Sequence, residues 1–414
     1  MLGKDLPIYM GYLDKRHAKL LIFLCWLAYV GAYIGRRNYS ASMSLIIDSL
    51  KAPETAAGLV TSFFSISYGI GQLVNGLICR WKHYNTQYVV SAALLVSALC
   101  NLAMTSTTDI TLMKYFWLGN GIAQSALWSS LIKTQSRYLS RQMISRAVLV
   151  MSTTVAIGTF AAYGLTALFN ALHISWIFVF WVASLVMIAA AVAWFVGMGK
   201  LADAAQRTLT DSPEETETDA VPTPEKIPDK RARLGAVLII SIIIVALSAI
   251  FNGFVNEGIQ SWTPKLLQEN FGVASSLSIL LTLLIPLLAI GGTALVNFMR
   301  PKIPDVLGLN LIYYGITSIV LLIVILTLTA HSVPLTLILL CIVSIMMAAV
   351  NNIVTSVIPL ISRDFLDSGM AAGLLDTFCY IGNSISAAFL GGIIESSHDW
   401  NSVMFCLLAV SLAG

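Results

Sequence analysis

The sequence predicts an all-α membrane protein with twelve transmembrane helices in two pseudo-symmetric six-helix halves. Three observations predict it. The 414 residues are 57% hydrophobic and 11% charged, against about 25% charged in soluble domains. Apolar runs long enough to cross a bilayer, which takes about 20 residues each, recur along the chain. A polar stretch with four prolines divides those runs into two sets.

Residues 1–17 show no signal-peptide pattern ahead of Leu20 and read as a cytoplasmic tail. The first half, 18–199, holds runs at roughly 18–47, 55–79, 86–106, 109–138, 144–171 and 174–199. Residues 200–233 contain Pro213, Pro222, Pro224 and Pro228 among Thr and acidic residues, a composition that cannot bury a core. They read as a flexible cytoplasmic linker. The second half, 234–414, holds runs at about 234–262, 274–299, 305–330, 333–361, 368–396 and 400–414. The last has about 15 residues before Gly414, so the twelfth helix is expected to be short or truncated.

Basic residues give the expected sidedness. With the N-terminus inside, 19 of the 24 basic residues fall on the cytoplasmic side, among them Arg80, Lys82 and Arg363. Lys51, Lys114 and Lys265 fall outside, and Arg36 and Arg37 lie within a span. Cytoplasmic excess of Lys and Arg orients membrane proteins, so both termini are expected in the cytoplasm of a multi-pass cell-membrane protein.

The totals also exclude functions. A net charge of +3 without a polybasic arm gives no footprint for nucleic acid. The six cysteines lie in or beside apolar runs without CxxC spacing, so neither a disulfide framework nor a metal site is expected. Phosphate-loop, HExxH and GxSxG patterns are missing, which argues against an ATP-driven pump or an enzyme. No cofactor is expected.

The informative residues are polar ones inside the spans. A charge at bilayer depth costs about 2.5–3.5 kcal/mol on insertion scales, so Arg36 and Arg37 imply a wet cavity or a partner. Arginine stays charged, and its planar fork suits carboxylate or phosphate. Tyr29, Tyr33, Arg36 or Arg37 and Ser40 share one face of the first helix by spacing. Ser65, Tyr68, Gln72 and Asn75 do so on the second, and Asn120, Gln124 and Trp128 on the fourth, with Lys133 further along. Interhelical hydrogen bonds are the competing explanation for each neutral residue. The seventh run carries Asn252, Asn256, Glu257, Gln260 and Trp262 ahead of Pro264, read as a breaker. The tenth carries Asn351 and Asn352, and the eleventh Asp376, Tyr380 and Asn383. Glu257 and Asp376 could neutralise the arginines, relay a proton or bind a cation.

The stretches YIGRRNYSASM (33–43), SISYGIGQLVNG (65–76), WTPKLL (262–267) and GMAAGLLDTFCYIGN (369–383) resemble the organophosphate:phosphate antiporter family of the major facilitator superfamily. The resemblance implies parallel halves with substrate bound near the midplane between them. It implies a phosphate-binding role for Arg36, with Arg37 and Asn38 beside it, and places Trp128 and Lys133 on family positions. Other positions depart from the family. Asn256, followed by Glu257, stands where a second arginine is expected, Gln72 where a lysine is, and Val155 near a histidine position. The acid expected after the second helix is missing from NGLICRWKHYN.

The resulting expectation is a secondary transporter working by alternating access, monomeric and embedded in lipid. Arg36 would bind a small organic anion, with Tyr33, Arg37, Asn38, Tyr68, Gln72, Trp128, Lys133, Asn256 and Tyr380 around it. Glu257 and Asp376 would couple. Phosphate would be counter-transported or a proton co-transported. The alternatives are a proton-coupled symporter of a monocarboxylate or zwitterion, and a transport-dead membrane sensor.

Overall fold

A computed structural model describes residues 13–79, 84–211, 236–330, 332–361 and 368–414. Every regular element among the described residues is helical. The first six are α1 Lys15–Leu50, α2 Glu54–Ile78, α3 Thr86–Met104, α4 Ile110–Tyr138, α5 Arg141–Ala171 and α6 Ile177–Asp211. The second six are α7 Ala236–Phe271, α8 Ser275–Met299, α9 Val306–Thr329, α10 Val333–Val357, α11 Ser368–Ser397 and α12 Trp400–Ala413. Ten of them have the length and apolarity to cross a bilayer. The remaining two are α4, which carries Asn120, Gln124 and Lys133, and α12, which has 14 residues.

Helix ends differ from the sequence expectation in three places. The Asp14 side chain accepts from the Arg16 amide at 3.1 Å and caps α1, so residues 15–17 are helix and not tail. Helix α6 continues through Lys200 to Asp211, so the first part of the expected linker is helical. The rest of that linker, residues 1–12 of the tail, and Arg80, Lys82 and Arg363 lie outside the described residues.

Helix α7 is the third difference, because it runs straight past the expected breaker Pro264 to Phe271. Proline removes one helical donor and leaves the carbonyl four residues earlier without its amide. That carbonyl belongs to Gln260, and the Tyr163 hydroxyl on α5 donates to it at 3.3 Å. Helix α8 shows the other outcome: it is interrupted at Leu283, just past Thr282, the carbonyl that Pro286 cannot serve, and again at Ile290. Helix α10 widens to a π-helical turn over Ile353–Val357, directly after Asn351 and Asn352. Such bulges recur at functional sites.

Within the first half, α1 packs on α5 and α6, and α3 on α4 and α6. Within the second, α7 packs on α11, and α9 on α10 and α12. Small residues permit these approaches: a Cβ on Gly382 would collide with the Ile250 carbonyl of α7.

The halves meet through α2 against α11 and α5 against α8. A Cβ on Gly58 would overlap the Ala387 carbonyl. Ser62 Oγ donates to the Ser384 carbonyl at 2.5 Å, and Ser384 Oγ returns a bond to the Ser62 carbonyl at 3.0 Å. Further along, Thr377 Oγ1 donates to the Gly69 carbonyl at 3.1 Å. Lys265 of α7 bonds Glu54 of α2 at 2.7 Å and Glu269 at 3.2 Å. Further along, a Cβ on Gly76 or on Gly373 would meet nothing within 4 Å. The halves are therefore sealed at the end carrying Lys265 and parted towards Gly76.

Candidate substrate cavity

Between the halves, beneath the sealed end, lies a cavity of about 130 Å³. Helix α1 contributes Arg36, Arg37 and Ser40, and α2 contributes Thr61, Phe64 and Ser65. The facing wall carries Asn252, Asn256 and Glu257 from α7, Asn351 from α10, and Asp376, Cys379, Tyr380 and Asn383 from α11. Trp117 of α4 completes the first-half wall.

Arg36 is 6% exposed and is positioned by a buried network. Its Nε donates to Gln124 Oε1 at 3.0 Å. The Gln124 amide is fixed in that orientation, because its Nε2 donates to Ser97 Oγ at 2.9 Å and Asn120 Oδ1 at 3.0 Å. Asn120 and Asn101 both donate to the Gly35 carbonyl, each at 3.1 Å, tying α3 and α4 to α1. The guanidinium carbon lies 4.1 Å from the Tyr68 ring centroid and 4.6 Å from that of Tyr33. Cation–π contacts of this kind contribute about 0.5–2 kcal/mol each.

The hydrogen bond to Gln124 uses Nε alone. Arg36 Nη2 is buried without a hydrogen-bond partner, as is Arg37 Nε. Neither guanidinium makes an ion pair among the described residues. A buried charged donor without a partner costs well over a kilocalorie per mole, so the site is built to accept something. On the opposite wall Glu257, 6% exposed, accepts a hydrogen bond from Ser261 Oγ. Asn252 Nδ2 donates to Asn351 Oδ1 at 3.2 Å, while Asn252 Oδ1 is buried and unpartnered.

Of the twelve residues expected to bind or couple, Arg36, Arg37, Asn256, Glu257, Asp376 and Tyr380 line the cavity. Tyr33 and Tyr68 stand behind them against Arg36, and Gln72 Nε2 donates to the Tyr68 hydroxyl at 2.9 Å. Tyr68 also packs on Tyr380 across the halves, at 4.7 Å between ring centroids. The structure does not bring the other three to the cavity. Asn38 is fully buried and donates to Asn101 Oδ1 at 2.7 Å, an α1–α3 tie. Trp128 packs on Tyr29 in a tilted arrangement, 5.0 Å between ring centroids, and is 38% exposed. Lys133 donates to the Cys79 carbonyl at 2.6 Å and sits over the Tyr84 ring. Thr61, Phe64, Trp117 and Cys379 were not singled out by the sequence, since nothing distinguishes them from packing residues. Gln124 was visible as a polar residue, but its hold on Arg36 depends on how α3 and α4 pack.

The fold and cavity are those of a membrane transporter. The sequence profile described as Major Facilitator Superfamily matches residues 25–387, and the chain belongs to that family. It is 22% identical to the glycerol-3-phosphate transporter of Bacillus subtilis (strain 168) over 417 residues, 95% of this chain and 91% of that protein. A shorter match, 25% identical, links 28% of this chain to 25% of the membrane sensor protein UhpC of Escherichia coli (strain K12). Among solved structures, a bacterial homologue of the human lysosomal transporter Spinster, inward-facing and occupied, superposes with a TM-score of 0.71. That match is 16% identical and covers 97% of this chain and 96% of that one.

Proposed function

We propose that this protein is a secondary transporter of a small organic anion, with Arg36 as the anion receptor. The unpartnered, buried Arg36 Nη2 at the cavity wall carries the reading. An anion there would gain a charge-assisted bond that the protein itself does not satisfy. Arg37 would add a second donor, and Asn256 and Tyr380 would contact the far side. Organophosphates are the first solutes to test, given the glycerol-3-phosphate transporter among the relatives. A cavity sealed at the Lys265 end, with open space beside Gly76 at the other, supports alternating access as its mode of transport. With both termini in the cytoplasm of the cell membrane, this state faces inward.

Counterflow in liposomes tests the proposal. Vesicles preloaded with unlabelled anion should accumulate labelled anion, and Arg36→Ala vesicles should not. Uptake by Arg36→Ala at the wild-type rate would refute Arg36 as receptor. The partial match to a membrane sensor supports a second reading, in which the same cavity binds solute without moving it. Saturable binding without counterflow would select that reading.

A further inference from the structure

Resting on Arg36 as the anion receptor, we propose that the solute is a zwitterion. Its anionic group meets α1, and a protonated amine meets the wall formed by α7 and α11.

The cavity's charges are sorted by wall. Both cations, Arg36 and Arg37, come from α1 in the first half, and both anions, Glu257 and Asp376, come from the second half. Unpartnered groups follow the same division. Among the cavity-lining residues, the buried atoms lacking a partner are the donors Arg36 Nη2 and Arg37 Nε on α1, the Thr61 hydroxyl on α2, which can donate, and the acceptor Asn252 Oδ1 on α7.

Mutual neutralisation does not explain the arrangement. Oppositely charged groups withdrawn from water offset their desolvation only in close contact. The ion pairs among the described residues are elsewhere: Asp14 with His17, and Lys265 with Glu54 and Glu269. Arg36, Arg37, Glu257 and Asp376 line the same cavity, and no ion pair among the described residues joins them. Glu257 is instead held by Ser261 on its own helix.

Three kinds of solute can be compared against these walls. A simple dianion satisfies the arginines and meets two carboxylates, whose repulsion is strong at low dielectric. A neutral polyol brings no counter-charge to either wall. A zwitterion places one charge against each wall and completes both sets. It also requires both halves at once, which couples binding to their closure around the solute.

Titration calorimetry of the purified full chain, at neutral pH, tests this with two matched pairs. O-phosphoethanolamine is compared with glycerol 3-phosphate, and alanine with lactate; within each pair the anionic group is kept and the amine is lost. The expected result is at least tenfold tighter binding of the amine-bearing member of one pair, about 1.4 kcal/mol. Asp376→Asn, and separately Glu257→Gln, should shrink that preference without weakening the amine-free member. Arg36→Ala should abolish binding of both members. Equal or tighter binding of the amine-free members, or binding of neither amine-bearing probe, overturns the proposal. So do carboxylate variants that weaken both members alike or alter only the pH profile. Failure of the underlying anion reading shows itself separately, as unchanged binding of both members by Arg36→Ala.

Discussion

The Tyr163 hydroxyl donates to the Gln260 carbonyl, the acceptor that Pro264 leaves without its helical amide. The bond crosses from α5 to α7 and joins the halves near their sealed end. It explains how a proline persists inside a long helix. Tyr163→Phe should lower stability by about 1 kcal/mol, the usual loss for one hydrogen bond. Restoring the amide with Pro264→Ala should remove most of that penalty. Thermal unfolding of the two single variants and the double variant gives the coupling directly. Additive effects would mean the bond does not serve the proline's carbonyl.

At Gly58 the halves approach so closely that an added Cβ would overlap the Ala387 carbonyl. Gly58→Val should keep the protein folded yet block sealing of the Lys265 end, reducing counterflow at least tenfold. Gly76→Ala is the matched control, because a Cβ there meets only open space. Normal transport by Gly58→Val would show that this contact is not required in the transport cycle.

Lys265, with a side chain 5% exposed, faces Glu54 at 2.7 Å and Glu269 at 3.2 Å. Removing one member of a buried ion pair costs about 3–5 kcal/mol when it strands the other. Glu54→Gln leaves Lys265 with Glu269, so it should destabilise the sealed state by only about 1 kcal/mol, one hydrogen bond's worth. Lys265→Met strands Glu54 and should lower the melting temperature further than Glu54→Gln does. The reverse order would contradict the assignment of Glu269 as second partner.

Gln124 fixes the Arg36 guanidinium through its Oε1. Gln124→Met should raise the KM for counterflow about tenfold, or about 1.4 kcal/mol, with a smaller effect on maximal rate. An unchanged KM would mean the two tyrosines alone orient Arg36.

Much of this architecture was legible in the sequence. Arg36 stood out because a charge in an apolar run has few physical excuses. Asn256, Glu257, Asp376 and Tyr380 were visible as polar residues on helical faces. Three limits are physical. Asn38 and Lys133 were attached to the site through neighbours in the chain and family resemblance, yet their partners, Asn101 and the Cys79 carbonyl, lie on other helices. Pro264 breaks a helix by local rules, but a tyrosine 97 positions before Gln260 satisfies the freed carbonyl. The network from Gln124 through Ser97 and Asn120 to Gly35 joins three helices, and polar spacing on one helix cannot reveal it.

The central claim is that Arg36 receives the solute's anionic group. The most direct measurement is the thermal shift of purified wild-type and Arg36→Ala protein against phosphate esters, carboxylates and zwitterions. A ligand at a hundredfold excess over its Kd adds about 2.7 kcal/mol to apparent stability. A ligand that stabilises the wild type and leaves Arg36→Ala unmoved is the predicted result. Equal stabilisation of both proteins by the same ligand would contradict it.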